Sequence, residues 1–450
     1  MSDIGLGVFG DIVRSPKMFL GSPAGINVGG VVRKASDIVA DILRFLREEA
    51  VKTSFRANPF KSAVITIPVN MRGEARAELR VAALKAGMEI HQFIHEPLAA
   101  LYAYFRRSED FRRTISSLEK RVFLVFDWGG GTLDLTLCQM RNGVLMQIAN
   151  AGDPDVGGDS FDLRLLRLAK EKHSQKYPNV DWTLMQPTAE SRLIQACEDA
   201  KIRLSEHDGA TLDLTDILAV SGPEKDMLNV KLERTEFENV AHDLVVRGLK
   251  KIEQLLERTG LSSGSIDFCL ATGGMISMPA IQDGLRGVFG MSRLRIAENA
   301  ACIISEGAAW IAHDRVCLKT AKPVEILHAD NSFVEIVPSG AQLPFAGETI
   351  NKRMDMYCVD PSDGFAKFLF ARPKFPGLEA QGDERIPYAH ISLPVDTVAR
   401  PLFERLKLNI LIDEDLIAKV EAFSEMSGER REIAIHDLEF GLNVGGTFDG

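Results

Sequence analysis

The chain has 450 residues, 45% of them hydrophobic and 26% charged, and carries a formal net charge of −10. At roughly 100–200 residues per domain, this length implies two to four folding units with cores of ordinary size. The acidic balance disfavours a nucleic-acid or anionic-membrane surface, both of which call for clustered Lys and Arg. The six cysteines form no Cys-x-x-Cys pair, and most sit in apolar runs such as Phe268-Cys269-Leu270. They fit small buried hydrophobes in a reducing compartment. The start, Met1-Ser2-Asp3-Ile4-Gly5, lacks a basic n-region, and no apolar run approaches the roughly 20 residues of a membrane helix. A cytoplasmic location is expected.

In chain order, the first 60 residues carry one clear signal, an amphipathic helix over Ala35–Lys52. Val64–Ile67 is a short strand ended by Pro68. A helix over Arg72–Ala86 stops at Gly87, Ile90–Ile94 is a strand, and Pro97 opens the next helix. The uninterrupted run Val122–Phe126 reads as a strand covered on both faces. Leu133–Met140 and Val144–Ala149 follow as strands, and Ser160–Lys176, Ala189–Glu206 and Arg234–Thr259 as long helices. Ile266–Ala271 is a strand, Met278–Phe289 a helix, and a last helix ends near His313. This is a mixed α/β domain. Beyond Arg315, short strands separated by polar turns predict a β-sandwich or barrel: Phe333–Val337, Met354–Val359, Ala366–Phe370, Leu406–Ile412, Ile417–Ala422 and Arg431–Ile435. Pro373–Asp383 reads as a long loop.

Four local patterns could carry chemistry. Asp127-Trp128-Gly129-Gly130-Gly131-Thr132-Leu133-Asp134 joins two strands. Its glycines let backbone N–H groups approach an anion, Thr132 adds a hydroxyl, and Asp127 and Asp134 are hard oxygen ligands suited to a Mg²⁺–water shell. A plain glycine hairpin is the alternative. Gly273-Gly274 follows a strand and precedes a helix, a place where backbone meets phosphate or nucleoside, or a tight turn and no more. Glu96 lies where strand becomes helix and could orient an attacking water, or serve as a helix-dipole partner. Glu198, Lys201 and Ser205 share one helix face that could hydrogen-bond a base or ribose, or be a solvated charged surface.

Taken together and in this order, these patterns resemble the heat-shock protein 70 (DnaK-type) chaperones from about Val13 to Val444. Val64-Ile65-Thr66-Ile67-Pro68 and Ala86-Gly87-Met88-Glu89 lead to His95-Glu96-Pro97, similar to the family's Asn-Glu-Pro with His95 in place of Asn. Asp127–Asp134 resembles its second phosphate loop, with Trp128 in place of an aliphatic residue, and Gly157-Gly158-Asp159-Ser160-Phe161-Asp162 resembles the segment that follows. Glu198, Lys201 and Ser205 fall on adenosine-contacting positions, and Gly273-Gly274 on the adenosine loop. Leu411–Ala422 with Ser427-Gly428-Glu429 resembles the peptide-binding sandwich.

The resemblance implies an actin-like (ribonuclease-H-like) ATPase domain over 1–315, a linker at 316–321, a β-sandwich peptide-binding domain over 322–444, and a tail at 445–450. It implies ATP or ADP with Mg²⁺ as cofactors, extended polypeptide clients, and co-chaperones. Pro68 and Arg76 match positions that relay nucleotide state, and Phe333 and Phe365 lie in segments that should line the peptide cleft, with core packing as their alternative. Val13–Gly21 resembles a segment downstream of the first phosphate loop and the catalytic Lys, so the reading sets Lys17 aside and expects a domain incomplete at its N-terminus. It keeps Val64–Ile67 and Ile90–Ile94 in a first-lobe sheet that has five strands in the family. About 60–80 residues are expected upstream, an estimate from the resemblance and the size of three strands. No helical lid follows the sandwich within the chain, which predicts fast peptide release. The expected function is an ATP-dependent chaperone. The alternative is a non-catalytic, chaperone-like binder, and a filament-forming actin relative is a third, which the sandwich disfavours.

Overall fold

The structure, a computed structural model, describes residues 13, 16–28, 30–53, 60–186, 189–218, 227–374 and 384–445. The expected tail beyond Gly445, most of the Pro373–Asp383 loop, and Arg14 and Ser15 lie outside the described residues.

The N-terminal part runs β1 (Ile26–Val28), β2 (Val31–Arg33), α1 (Ala35–Thr53), β3 (Ser62–Ile67), α2 (Gly73–Lys85), β4 (Glu89–His95), α3 (Glu96–Arg106) and α4 (Phe111–Ser117). β3 and β4 pair in parallel, as a sheet of two strands among the described residues, which is as many as the sequence reading places there. The centre runs β5 (Val122–Trp128), β6 (Leu133–Arg141), β7 (Val144–Asp153), α5 (Gly158–Lys176), α6 (Ala189–Glu206), β8 (Gly209–Leu214), β9 (Leu228–Glu233), α7 (Arg234–Thr259), β10 (Phe268–Thr272), α8 (Pro279–Arg293), β11 (Leu294–Ile296) and α9 (Ile303–Asp314).

β5 shows why an unbroken apolar run means a doubly covered strand. Phe123 and Val125 point into the core shared with α3, whereas Leu124 and Phe126 point into the core of α5, α7 and α8. With period-two alternation, both faces must then be apolar. β5, β6 and β7 form an antiparallel meander, and β10 pairs in parallel with β5 and β11.

The C-terminal part runs β12 (Leu318–Thr320), β13 (Val324–Leu327), β14 (Phe333–Val337), β15 (Ile350–Tyr357), β16 (Phe365–Pro373), β17 (Arg385–Pro394), β18 (Arg405–Ile412), β19 (Ala418–Ser424), β20 (Arg430–Ile435) and β21 (Phe440–Asn443). Two four-stranded sheets, β14-β13-β16-β17 and β15-β18-β19-β20, make the expected sandwich. Phe370, Leu408, Val420 and Ile435 sit between them, in a core continuous with that of α3 and β4.

The segment 316–321, expected as a linker too short and apolar to be a free spacer, contains Leu318–Thr320, the outermost strand of the central sheet. The sandwich does not extend through Val444 as expected: β21 leaves it and pairs with β7, giving the order β11-β10-β5-β6-β7-β21-β12. Both strands are short and β21 contains Gly441, so neither shows a periodic pattern of its own.

Candidate functional site

The glycine patterns converge. Gly129 N donates to Thr132 O at 3.0 Å and closes the turn between β5 and β6, while Asp159 N donates to Gly130 O at 2.7 Å and Gly158 N to Gly129 O at 3.1 Å. The start of α5 is thus bonded to the loop Gly129–Gly131. Around Gly158 three further elements meet: a methyl group there would lie 3.0 Å from Lys201 Nζ, 3.2 Å from Gly130 Cα and 3.2 Å from Met275 Sδ. The loop Gly273-Gly274 closes on the same place. Gly273 has φ 91°, and a Cβ on it would stand 2.3 Å from Trp128 O and 2.6 Å from Asp127 Oδ1. Positive φ and backbone contact together exclude any side chain. Gly273→Ala is expected to cost about 2–4 kcal/mol, read as a melting temperature several degrees lower. An unchanged melting temperature would contradict this packing.

Three carboxylates face the loops. Glu96 is the first residue of α3, Asp127 stands near the end of β5, and Asp134 near the start of β6 directly opposite it. Asp134 accepts from Thr132 Oγ1 at 2.7 Å. Burial, then the nearby charges of Glu96 and Asp134, pushes Asp127 up to about 7. Burial also raises Glu96, opposed by Lys17 and reinforced by Asp134. The excess negative charge fits a hydrated cation. Among the described residues no three His, Cys, Asp or Glu side chains are grouped to hold a metal ion, and contact through water is a mode these carboxylates could serve.

The Asp127 shift has a testable sign. A carboxyl raised from 3.8 to about 7 stabilises the fold fully below pH 4 and loses that contribution as pH rises through 7. Without nucleotide or Mg²⁺, Asp127→Asn is expected to match the unaltered chain near pH 4 and exceed it at pH 8 by on the order of 3 kcal/mol. Thermal unfolding at the two pH values checks this, and equal stabilities at pH 8 would refute it.

Sequence reasoning set Lys17 aside, but its Nζ lies 3.5 Å from Glu96 Oε1. Both line an open cleft of about 540 Å³ with Pro68, Thr132, Asp134 and Asp153. Lys17 is thus a positive charge of the cleft that the sequence reading missed. The usable signal was local: a lysine just before the apolar Met18-Phe19-Leu20 and Gly21.

On α6, Lys201 is committed to Asp162, at 2.8 Å, and to Gly158 O, at 3.2 Å. Burial nevertheless holds Asp162 up at about 6 against that partner. Ser205 Oγ donates to Lys201 O at 3.1 Å, and Glu198 is half-buried on the same face. Neither the α6 residues nor Gly273 and Gly274 line the open cleft, which gathers the carboxylate side of the site.

Arg76 is buried and bonds four carbonyls. Nε donates to Asp415 O at 2.8 Å, Nη1 to Met71 O at 2.6 Å, and Nη2 to His436 O at 2.7 Å and Leu416 O at 3.3 Å. Three of the four belong to the C-terminal part. Pro68 lines the cleft, and Pro68 O accepts from Met71 N, so cleft and Arg76 share one turn. In the sandwich, Phe333 on β14 lies under the Arg385 guanidinium, 5.2 Å away, and Phe365 at the start of β16 is 44% exposed. Neither ring belongs to the core, and β13 lies between their strands.

A two-lobed α/β body with glycine loops packed about the end of β5 beside the carboxylates of an open cleft, joined to an antiparallel sandwich, defines an actin-like ATPase fold with an appended β-domain. The family model described as Hsp70 protein matches residues 22–332, and the chain belongs to that family. It is 33% identical over 274 residues to the chaperone protein DnaK of Metamycoplasma hominis, covering 60% of this chain and 44% of that protein. No described helix is long and apolar enough to cross a membrane.

Proposed function

We propose that the protein is an ATP-dependent chaperone that binds extended apolar polypeptide segments under control of nucleotide state. The observation that carries this reading is Arg76: one side chain, a turn away from the cleft, holds three carbonyls of the C-terminal part. A change in the cleft therefore has a short route to the sandwich.

Gly129, Gly130, Gly131, Gly273 and Gly274 would face the phosphates and nucleoside of ATP or ADP, with Glu198, Lys201 and Ser205 toward the base and ribose. Asp127 and Asp134 would hold Mg²⁺ through water, and the ion would neutralise phosphate charge. Glu96 orients and deprotonates the attacking water, and Lys17 offsets the carboxylates facing the γ-phosphate. Extended peptide fits a sandwich that offers main-chain hydrogen bonds and side-chain pockets, with Phe333 and Phe365 as candidate contacts. Clients would be unfolded chains in the cytoplasm, with co-chaperones as further partners. Single-turnover hydrolysis of ATP tests the reading. Binding without turnover would leave a non-catalytic binder as the better account.

A further inference from the structure

We propose that a small chamber behind Glu96 holds one ordered water molecule, gripped by the Thr136 hydroxyl and the Asn150 amide, and that this water fixes the Glu96 carboxylate. Thr136 is then a positioning residue for hydrolysis. That role rests on the function proposed above, whereas the water itself does not.

The chamber lies against one face of the β5-β6-β7 meander. Val125, Thr136 and Asn150 stand directly opposite one another on the three strands, and Asp127 and Asp134 form the opposed pair two residues along. Opposed residues of an antiparallel ladder share a face. Val125 belongs to the core shared with α3, so this is the face that looks toward the start of α3. There these residues and Glu96 wall a space of about 10 Å³, about the smallest that admits one water.

The polar groups around the space lack partners that a water would supply. Thr136 is buried, and its hydroxyl bonds no described residue. A buried hydroxyl without a partner is costly, and a bridging water is nearly as good as a direct bond. Asn150 is fixed from two sides: its Nδ2 donates to Asn70 Oδ1 at 2.7 Å, and Arg258 donates to its carbonyl. This leaves Asn150 Oδ1 to accept a further bond.

Glu96 needs such a hold. With Asp134 and Pro68 it lines both the chamber and the open cleft, so these residues form the partition between them. On the cleft side Glu96 meets Lys17 at 3.5 Å, a long contact from a side chain that is 55% exposed. Among the described residues no other side-chain hydrogen bond holds Glu96. A water in the chamber would accept from Thr136 Oγ1 and donate to Glu96 and to Asn150 Oδ1, tying the carboxylate to the rigid meander. It stands across the partition from the cleft, so it is not the water that attacks phosphate.

Two variants of the full chain test the proposal. A crystal structure of the unaltered chain should show a water within hydrogen-bond distance of Thr136 Oγ1 and Glu96. Thr136→Val should lose it and Thr136→Ser should keep it. Single-turnover ATP hydrolysis should fall about tenfold in Thr136→Val and recover to within about twofold in Thr136→Ser, with MgADP affinity changed less than about threefold in both. An empty chamber in the unaltered chain would overturn the water. Hydrolysis at the unaltered rate by Thr136→Val, or a loss of affinity as large as the loss of rate, would overturn the positioning role. If the unaltered chain hydrolyses no ATP, the proposed function falls and the positioning role with it, while the crystal structure still decides whether the chamber holds a water.

Discussion

Glu96→Ala is expected to lower single-turnover ATP hydrolysis roughly 100- to 1000-fold, with MgADP affinity changed by no more than about threefold, because a positioned base contributes in that range. The split follows from its place: Glu96 faces the open cleft, while the glycine loops that would bind nucleotide lie on other elements. Burial raises its carboxyl, so the acid limb of the rate profile should lie above the ordinary glutamate range. Lys17→Ala should slow the same step. Since burial is the larger cause and Lys17 opposes it, removal of Lys17 should move the limb further up. Hydrolysis by Glu96→Ala at the unaltered rate would remove Glu96 from the mechanism.

Arg76→Ala should release the sandwich from the cleft domain. It strands four buried or half-buried carbonyls and costs about 3–5 kcal/mol of docking. Arg80 would still tie Asp415, at 2.7 Å, and cannot replace the lost fork. Arg76→Lys should rescue little, since an ammonium on a flexible stem cannot reach carbonyls in so many directions. Hydrogen exchange resolves the outcome: protection should fall at Asp415–Leu416 and His436 and persist in β5 and β6. Uniform loss across both parts would instead mean that Arg76 supports global stability and not docking in particular.

Much of this fold was legible in the sequence because its long elements have one clear period each. Ala189–Glu206 and Arg234–Thr259 have the bounds their apolar spacing predicts, and α2 ends where Gly87 takes a positive φ. What escaped was set by partners far along the chain. β17 carries Pro387 and Pro394, which read as breakers, yet Pro387 sits at a register shift against Ala371, where a missing N–H costs no ladder bond. β12 and β21 become strands only because β7 has a free edge to offer. At the site, residue types and their order pointed to Glu96, Asp127, Thr132 and Asp134. The pairing of Lys201 with Asp162 and the reach of Lys17 to Glu96 depend on three-dimensional proximity, which no local spacing encodes.

The dissociation rate of a fluorescent apolar peptide from the full chain, measured with MgATP and again with MgADP, tests the central claim most directly. Control of the sandwich by the cleft predicts release at least tenfold faster with MgATP, and loss of that difference in Arg76→Ala. Equal release rates with both nucleotides, under conditions where both are shown to be bound, would contradict it.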